Sequence, residues 1–472
     1  MTSRSTDLGK IDPASFRDPE GFVFEHGNGI CRTLSPAALR RFSKLRDSGL
    51  FQELIDDGLV IPTRMTSAPD GGIPLPPGYD GVMIHERVTP VTYPAEWSFG
   101  MLKDAALLTL RLSRKLLRHG LILKDANPYN VMFHNGGFTQ TDVLSIAEYE
   151  GGPWAAYGQF CESFLYPLFL EAYLGVSFQP YLRAHPYGVP VRSVRPLFRM
   201  TDIFRPGVFA HVMLRARLED SFRRAKLPSS DNLTEVYGAK QLGNLLTRLE
   251  KLVDGLSPPK KSGDWKDYEK THSYSAEDRT RKERFIKAWA SEAQPKAVAD
   301  IGCNTGFFSF ALAASVDRVV SIDADAGSID RLYCDLKSGN ARNISPIVCD
   351  ICDPTPRSGW MAAERAATFQ RVKTDGFLAL ALIHHVCISN NLPLDRFVIF
   401  LRHFGDAGVV EWVGKGDEMV QTLLMNRADI YDGYTREKFE KSLKRCFSIE
   451  QVIDLKGGHR RLYRLGPSVP VD

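Results

Sequence analysis

The chain has 472 residues, 43% of them hydrophobic, enough to bury more than one core and to form two or three domains at about 150 residues each. Lys and Arg total 60 against 56 Asp and Glu, a net charge of +4, so the balance points to neither a nucleic acid nor an anionic membrane as partner. Eight dispersed cysteines, mostly in apolar surroundings, read as reduced thiols of a cytoplasmic protein.

The first 18 residues are polar and lack the apolar core of a signal peptide. A helix is predicted over 97–119. It is followed by Leu123-Lys124-Asp125-Ala126-Asn127-Pro128-Tyr129-Asn130-Val131, a short strand over 138–141, and Asp142. This pattern resembles the catalytic loop of protein-kinase-like and aminoglycoside-kinase-like folds, H-R-D-x-x-x-x-N followed by a metal-binding Asp. The resemblance implies Asp125 as base and Asn130 and Asp142 at the metal positions. The sequence departs from it at Leu123, where His is usual, and at Val143-Leu144, where Phe-Gly is usual. Residues 20–92 offer no glycine-rich loop beyond Gly27-Asn28-Gly29, and no nucleotide-binding lysine. Phosphoryl transfer needs its phosphates and Mg²⁺ clamped from both lobes. The expectation is therefore an inactive, kinase-like α+β domain that binds substrate or partner, with an unrelated helical domain as the alternative.

Residues 160–174 read as an apolar helix. The run 164–178 is broken by Pro167, Glu171 and Gly175 and falls short of the roughly 20 residues of a membrane span. Leu242, Leu245, Leu246, Leu249 and Leu252 recur at helical spacing within 235–256, and the Ser-Pro-Pro-Lys-Lys-Ser-Gly-Asp stretch after them reads as a linker. The expected division is an N-terminal domain over 1–255, a linker over 256–277, and a C-terminal domain over 278–472.

After a helix over 278–290, short apolar runs alternate with helical patterns, the signature of a parallel sheet covered on both faces. Strands are predicted over 297–301, 318–322, 344–349, 377–383 and 408–413, then a hairpin over 447–455 and 460–465 around Lys456-Gly457-Gly458. The first strand runs into Gly302-Cys303-Asn304-Thr305-Gly306 and a helix starting near Phe307, a turn where a ligand can meet bare backbone N–H groups. Its G-x-x-x-G spacing is not the dinucleotide G-x-G-x-x-G. The second strand delivers Asp323, 23 positions after Asp300, the third delivers Asp350, and the fourth ends in His384-His385. Polar groups gathered at strand ends mark the ligand edge of an open α/β sheet.

Asp300-Ile301-Gly302-Cys303-Asn304-Thr305-Gly306 with Asp323 and Asp350 resembles the cofactor site of class I S-adenosylmethionine-dependent methyltransferases. Asn304 replaces that family's central glycine, a residue that tolerates a left-handed backbone. The resemblance implies a Rossmann-like, seven-stranded sheet with one reversed edge strand. It also implies a cofactor held by Asp300, Gly302, Cys303, Asn304, Thr305, Gly306 and Phe307, with Asp323 on the ribose and Asp350 on the adenine. Residues 359–365, Asp375, 378–385 and 390–394, with 299–306, further resemble the rhizobial host-specific nodulation proteins of the NoeA group, which are described as methyltransferases; this likeness covers 265–465.

The resulting expectation is methyl transfer from S-adenosylmethionine to a hydroxyl or amine of a small-molecule or carbohydrate-like acceptor, in nodulation-signal or polysaccharide metabolism. His384 and His385 are the candidate bases; adjacent strand residues face opposite sides, so one of the two is expected to point at the substrate, and similarity to the position of the base in some O-methyltransferases favours His384. Tyr274, Glu411, Lys415 and Asp417 are expected to be solvated surface groups, and Glu364-Arg365 is left between ordering the site and lining its rim. Cys349 and Cys352 form a C-x-x-C without a second Cys/His pair, so no metal site is expected. No basic stripe with interleaved aromatics suggests nucleic acid. Two other readings stay open: a kinase-class phosphotransferase whose C-terminal domain senses S-adenosylmethionine, and a non-catalytic scaffold.

Overall fold

The computed structural model describes residues 10–27, 29–67, 75–224, 238–259, 276–339, 341–425 and 428–467. Asn28, Tyr274 and most of the expected linker lie outside the described residues. The chain divides into two units. The first comprises Met1–Ala95, Phe99–Pro259 and Pro356–Ala367; the second comprises Glu96–Ser98, Lys260–Thr355 and Thr368–Asp472.

In the first unit, β1 (Lys10–Ile11), β2 (Val23–His26), β3 (Gly29–Leu34), β4 (Thr63–Ser67) and β5 (Gly81–His85) form an antiparallel sheet in the order β1-β2-β3-β5-β4. The helix Pro36–Asp47 leaves β3 through Ser35, whose hydroxyl accepts the Ala38 N–H, with Pro36 in the first turn. Its Phe42 and Leu45 join Leu34, Met83, Leu112, Leu116, Val143 and Leu144 in one core. The helix Phe99–Leu117 is followed by two short ribbons, β6 (Leu121–Leu123) with β9 (Ile146–Glu148), and β7 (Val131–His134) with β8 (Gly137–Gln140). The apolar stretch beyond is helical over Tyr157–Phe160, Cys161–Leu165 and Tyr166–Leu174, and buries Phe160, Phe164 and Phe169 completely. No described helix is long and apolar enough to cross a membrane.

The second unit is built on β10 (Ala297–Ile301), β11 (Arg318–Asp323), β12 (Ile344–Val348), β13 (Gly376–Ala379), β14 (Ala407–Val413), β15 (Phe447–Asp454) and β16 (Arg460–Pro467), in the order β12-β11-β10-β13-β14-β16-β15. The first five run parallel, while β16 is antiparallel to both β14 and β15. This is the seven-stranded arrangement expected from the sequence, with one correction: the reversed strand lies one place in from the edge, between β14 and β15. The hairpin turn fixes that β15 and β16 are neighbours, but only pairing decides which of them meets β14.

Every residue of β10 and β13 is buried, as strands covered on both faces require. Phe377, Phe397, Leu401, Phe404, Trp412 and Tyr463 belong to the core against the sheet. Because strand order reverses on either side of β10, its C-terminal end and that of β13 open the crevice where such sheets take ligands.

Candidate active site

The turn after β10 is left-handed at Gly302 (φ 77°), Asn304 (φ 52°) and Gly306 (φ 80°). Two of these positions demand glycine: a Cβ at Gly306 would come within 2.5 Å of Leu332, and one at Gly302 within 3.2 Å of Leu382. Asn304 accommodates its conformation partly by accepting the Thr305 N–H on its own Oδ1, at 2.6 Å. The turn is anchored to the neighbouring strand, with the Gly302 and Cys303 N–H groups donating to the Ile322 carbonyl. Asp323 closes it: Oδ2 accepts the Asn304 N–H at 2.8 Å and Oδ1 the Asp325 N–H at 2.9 Å. Burial pushes the Asp323 carboxyl above its ordinary range, against those two N–H groups.

Asp300 takes a different part from the one expected. It is 2% exposed, and its Oδ2 accepts the Ser309 hydroxyl at 2.6 Å, with Ser321 donating in turn to Ser309 at 2.8 Å. Burial first, opposed by Ser309, pushes its carboxyl up to about 6. Through Ser309 it therefore links β10 to the helix Phe307–Ala313 and to β11. The Cys303 thiol is also buried, and raised well above its usual value by that burial. Thr305 and Phe307 are half-buried, and the Arg279 guanidinium lies 3.6 Å from the Phe307 ring centroid. Asp350 is exposed just beyond β12, its Oδ1 accepting the Cys352 N–H at 2.8 Å.

At the next strand end β13 stops at Ala379, four residues short of the expected 383, because Ala381 turns left-handed (φ 49°). Such a conformation costs a non-glycine residue about 1–2 kcal/mol. It is held by Glu411 on β14, whose Oε2 accepts the Ala381 N–H at 2.9 Å. Glu411 is no surface group. It is fully buried, 2.7 Å from the equally buried Lys282 and 3.4 Å from Arg460, and Arg460 also grips Asp417. Asp417 is 9% exposed, a second correction to the expected solvated rim. Burial pushes Lys282 down to about 8 although Glu411 lies against it, so desolvation outweighs pairing while leaving the ammonium charged at neutral pH. Lys415, by contrast, pairs with Asp429 near the surface. Lys282 and Arg460 were invisible in the sequence, where each is one cation among many on an amphipathic element.

The two histidines differ sharply. His384 is 1% exposed and its Nδ1 has no hydrogen-bond partner among the described residues; His385 is exposed, its ring 4.2 Å from that of His384. Of the two candidate bases, the structure thus places His385 at the surface and His384 in the interior. Burial, then His385 and Arg460, push His384 down to about 3. The unfolded chain protonates this residue near pH 6.5. Between the two values the unfolded state binds more protons, so this contribution to stability is complete above pH 6.5 and is lost as the pH falls toward 3. Urea midpoints measured at about pH 7.5 and about pH 5 should differ less for His384→Asn than for the unsubstituted protein.

In the first unit Asp125, Asn130 and Asp142, the residues that resemble a kinase-like catalytic loop, lie near one another. Asn130 Nδ2 donates to Asp142 Oδ2 at 3.2 Å, and burial, with Asp142 next, raises the Asp125 carboxyl. Arg32 on β3, which no motif in the sequence marks, donates from Nη1 to Asp142 Oδ1 at 2.6 Å and also binds Asp18. Glu364 and Arg365 belong to this unit: Glu364 accepts from Arg17, and Arg365 lies over the Tyr129 ring at 4.1 Å.

No family model matches the chain. It is 32% identical over 457 residues to the nodulation protein NoeA of Rhizobium meliloti (strain 1021), a match covering 95% of this chain and 94% of that protein. Among solved structures, the N-methyltransferase NodS from Bradyrhizobium japonicum WM9 covers 41% of this chain and 99% of its own (14% identity, TM-score 0.29). The bifunctional kinase-methyltransferase WbdD covers 44% of this chain and 43% of its own (14% identity, TM-score 0.31). At those scores neither likeness fixes an activity or an acceptor.

Proposed function

Since the chain belongs to the family of the nodulation protein NoeA, we propose from its strand-end site that it is an S-adenosylmethionine-dependent methyltransferase acting on a hydroxyl or amine of a small-molecule or carbohydrate-like acceptor. The observation that carries this is the left-handed turn Gly302–Asn304–Gly306 closed by Asp323 at the crevice of a seven-stranded sheet. The cofactor supplies an electrophilic methyl group on a sulfonium. The turn would take its amino-acid portion, with Arg279 beside Phe307 suited to a carboxylate. Asp323 has lone pairs for the ribose hydroxyls, and the exposed Asp350 can accept from the adenine amino group. The family's name supports a role in nodulation-signal or polysaccharide metabolism, and eight free cysteines suit the cytoplasm.

His385 is the base in this reading. It is the exposed histidine, and partial desolvation, then the nearby Arg460 charge, lower its pKa from the ordinary value, which favours the neutral ring that can accept a proton. His385→Ala should reduce methyl transfer about 10²- to 10⁴-fold while S-adenosylhomocysteine binds as before; unchanged turnover would remove His385 from the mechanism. The reading as a whole is tested by calorimetry with S-adenosylmethionine and by mass spectrometry of extracts incubated with the protein and labelled cofactor. Absence of heat would overturn it.

For the first unit, the grip of Arg32 on Asp142 supports a kinase-like binding domain without phosphotransfer, because the carboxylate a metal would need is already neutralised by a guanidinium. Calorimetry with Mg-ATP should give no heat. Binding would revive the phosphotransferase reading.

A further inference from the structure

The second unit contains a cavity of about 420 Å³, within the range of about 300–1,000 Å³ usual for small-ligand sites. It is walled on one side by the helix Arg436–Cys446, which presents Lys438, Lys441 and Arg445 to it. Their spacing of three and four residues puts all three cations on one helix face. None of them makes an ion pair among the described residues, whereas elsewhere in this unit Lys415, Arg460, Arg461 and Arg464 are all paired. A single acid, Asp395, lines the cavity. The remaining wall mixes amide and aromatic groups: Asn391, and the rings of Tyr431 and Tyr434, whose hydroxyls are already spent on the Ile388 and Val413 carbonyls. Cys387 also lines it, so the cavity is built partly from the turn His385–Ser389 that begins with the proposed base.

Three cations with no ion pair among the described residues make this wall of the cavity positive, so an entering anion would meet all three, and Asn391 with the half-buried Tyr431 beside them suits a compact, hydroxylated body. We infer that this cavity binds the acceptor through a negative charge: the methyl acceptor is an anionic sugar-like molecule, carrying a phosphate or a carboxylate, recognised by Lys438, Lys441 and Arg445. This rests on the methyltransferase reading above and names its substrate class. Charge recognition beside the turn of His385 would decide which hydroxyls or amines reach the base.

The test uses the full chain and three probes, glucose 6-phosphate, glucuronate and neutral glucose, followed by calorimetry or ligand-observed NMR. One or both charged probes should bind at least about tenfold more tightly than glucose, the phosphate and carboxylate arms telling which anion is preferred. Lys441→Glu/Arg445→Glu should weaken that binding at least about tenfold. Lys444→Glu, which changes the charge of the same helix at a residue that does not line the cavity, should leave it within about twofold. Equal binding of glucose, no binding of any probe, or an undiminished double variant overturns the inference. S-adenosylhomocysteine is titrated into the same samples. If it binds while the charged sugars fail, only the acceptor inference falls; if it does not bind, the methyltransferase reading falls.

Discussion

Replacing Asp323 by alanine is expected to weaken S-adenosylhomocysteine binding by about 10²-fold or more. The carboxylate does two things at once. Its Oδ2 and Oδ1 accept the Asn304 and Asp325 N–H groups and so hold the turn after β10 against the start of the next helix. In the proposed reading its remaining lone pairs would accept from the paired ribose hydroxyls. A hydrogen bond to a charged acceptor is worth about 1.5–3 kcal/mol, and losing two gives about 3–6 kcal/mol, which corresponds to roughly 10²- to 10⁴-fold in affinity. Asp323→Asn keeps one oxygen acceptor but neither the charge nor the second oxygen, and should fall between the two. Calorimetry of the three proteins checks the order, and an alanine variant binding within about twofold of the parent would remove Asp323 from the cofactor site.

Glu411→Leu is expected to destabilise the second unit by about 3–5 kcal/mol, because it leaves Lys282 buried without its carboxylate and deprives Arg460 of one of two acids. Lys282→Met/Glu411→Leu should recover most of the loss, since removing both members of a buried pair takes away the uncompensated charge as well. Denaturant unfolding of the single and double variants measures this. The pH dependence follows from Lys282, already lowered by burial to about 8. Losing Glu411 lowers the folded-state pKa of Lys282 further, so the variant gives up this proton at a lower pH than the parent, and its deficit should shrink as the pH rises to about 8 and level off above, where Lys282 is neutral in both folded proteins. A single variant as stable as the double would show that the ion pair contributes little. The same substitution frees the Ala381 N–H, which Glu411 accepts, and so should disturb the turn that carries His384 and His385.

The parallel strands of the second unit were legible because buried strands read as unbroken apolar runs whose ends are marked by glycine or acid. The strand expected over 297–301 is β10 itself, Asp323 is the last residue of β11, and Asp350 lies two residues beyond β12. The end of β13 was not legible. Residues 378–383 are apolar throughout, and what stops the strand is a carboxylate 30 positions further on that captures the Ala381 N–H. Alternation along a strand could say that His384 and His385 diverge, but once the strand had ended it could not say which one is buried.

The amino-acid sequence by itself determined the elements and their chemistry: the strand pattern, the Gly302–Gly306 turn with its asparagine, and the acids spaced at strand ends. Local periodicity and turn propensity depend on neighbours a few residues away, so a single sequence carries them. Only the tertiary structure decided which charges are buried. Glu411, Asp417, Lys282 and Arg460 look like surface residues until β14, β16 and the helix Ala276–Ala293 pack together, because desolvation and pairing are properties of groups brought close in space and not along the chain. For the same reason Asp300 proved to be an internal tie, Arg32 the partner of Asp142, and the near-neutral chain the owner of a cavity walled by three unpaired cations.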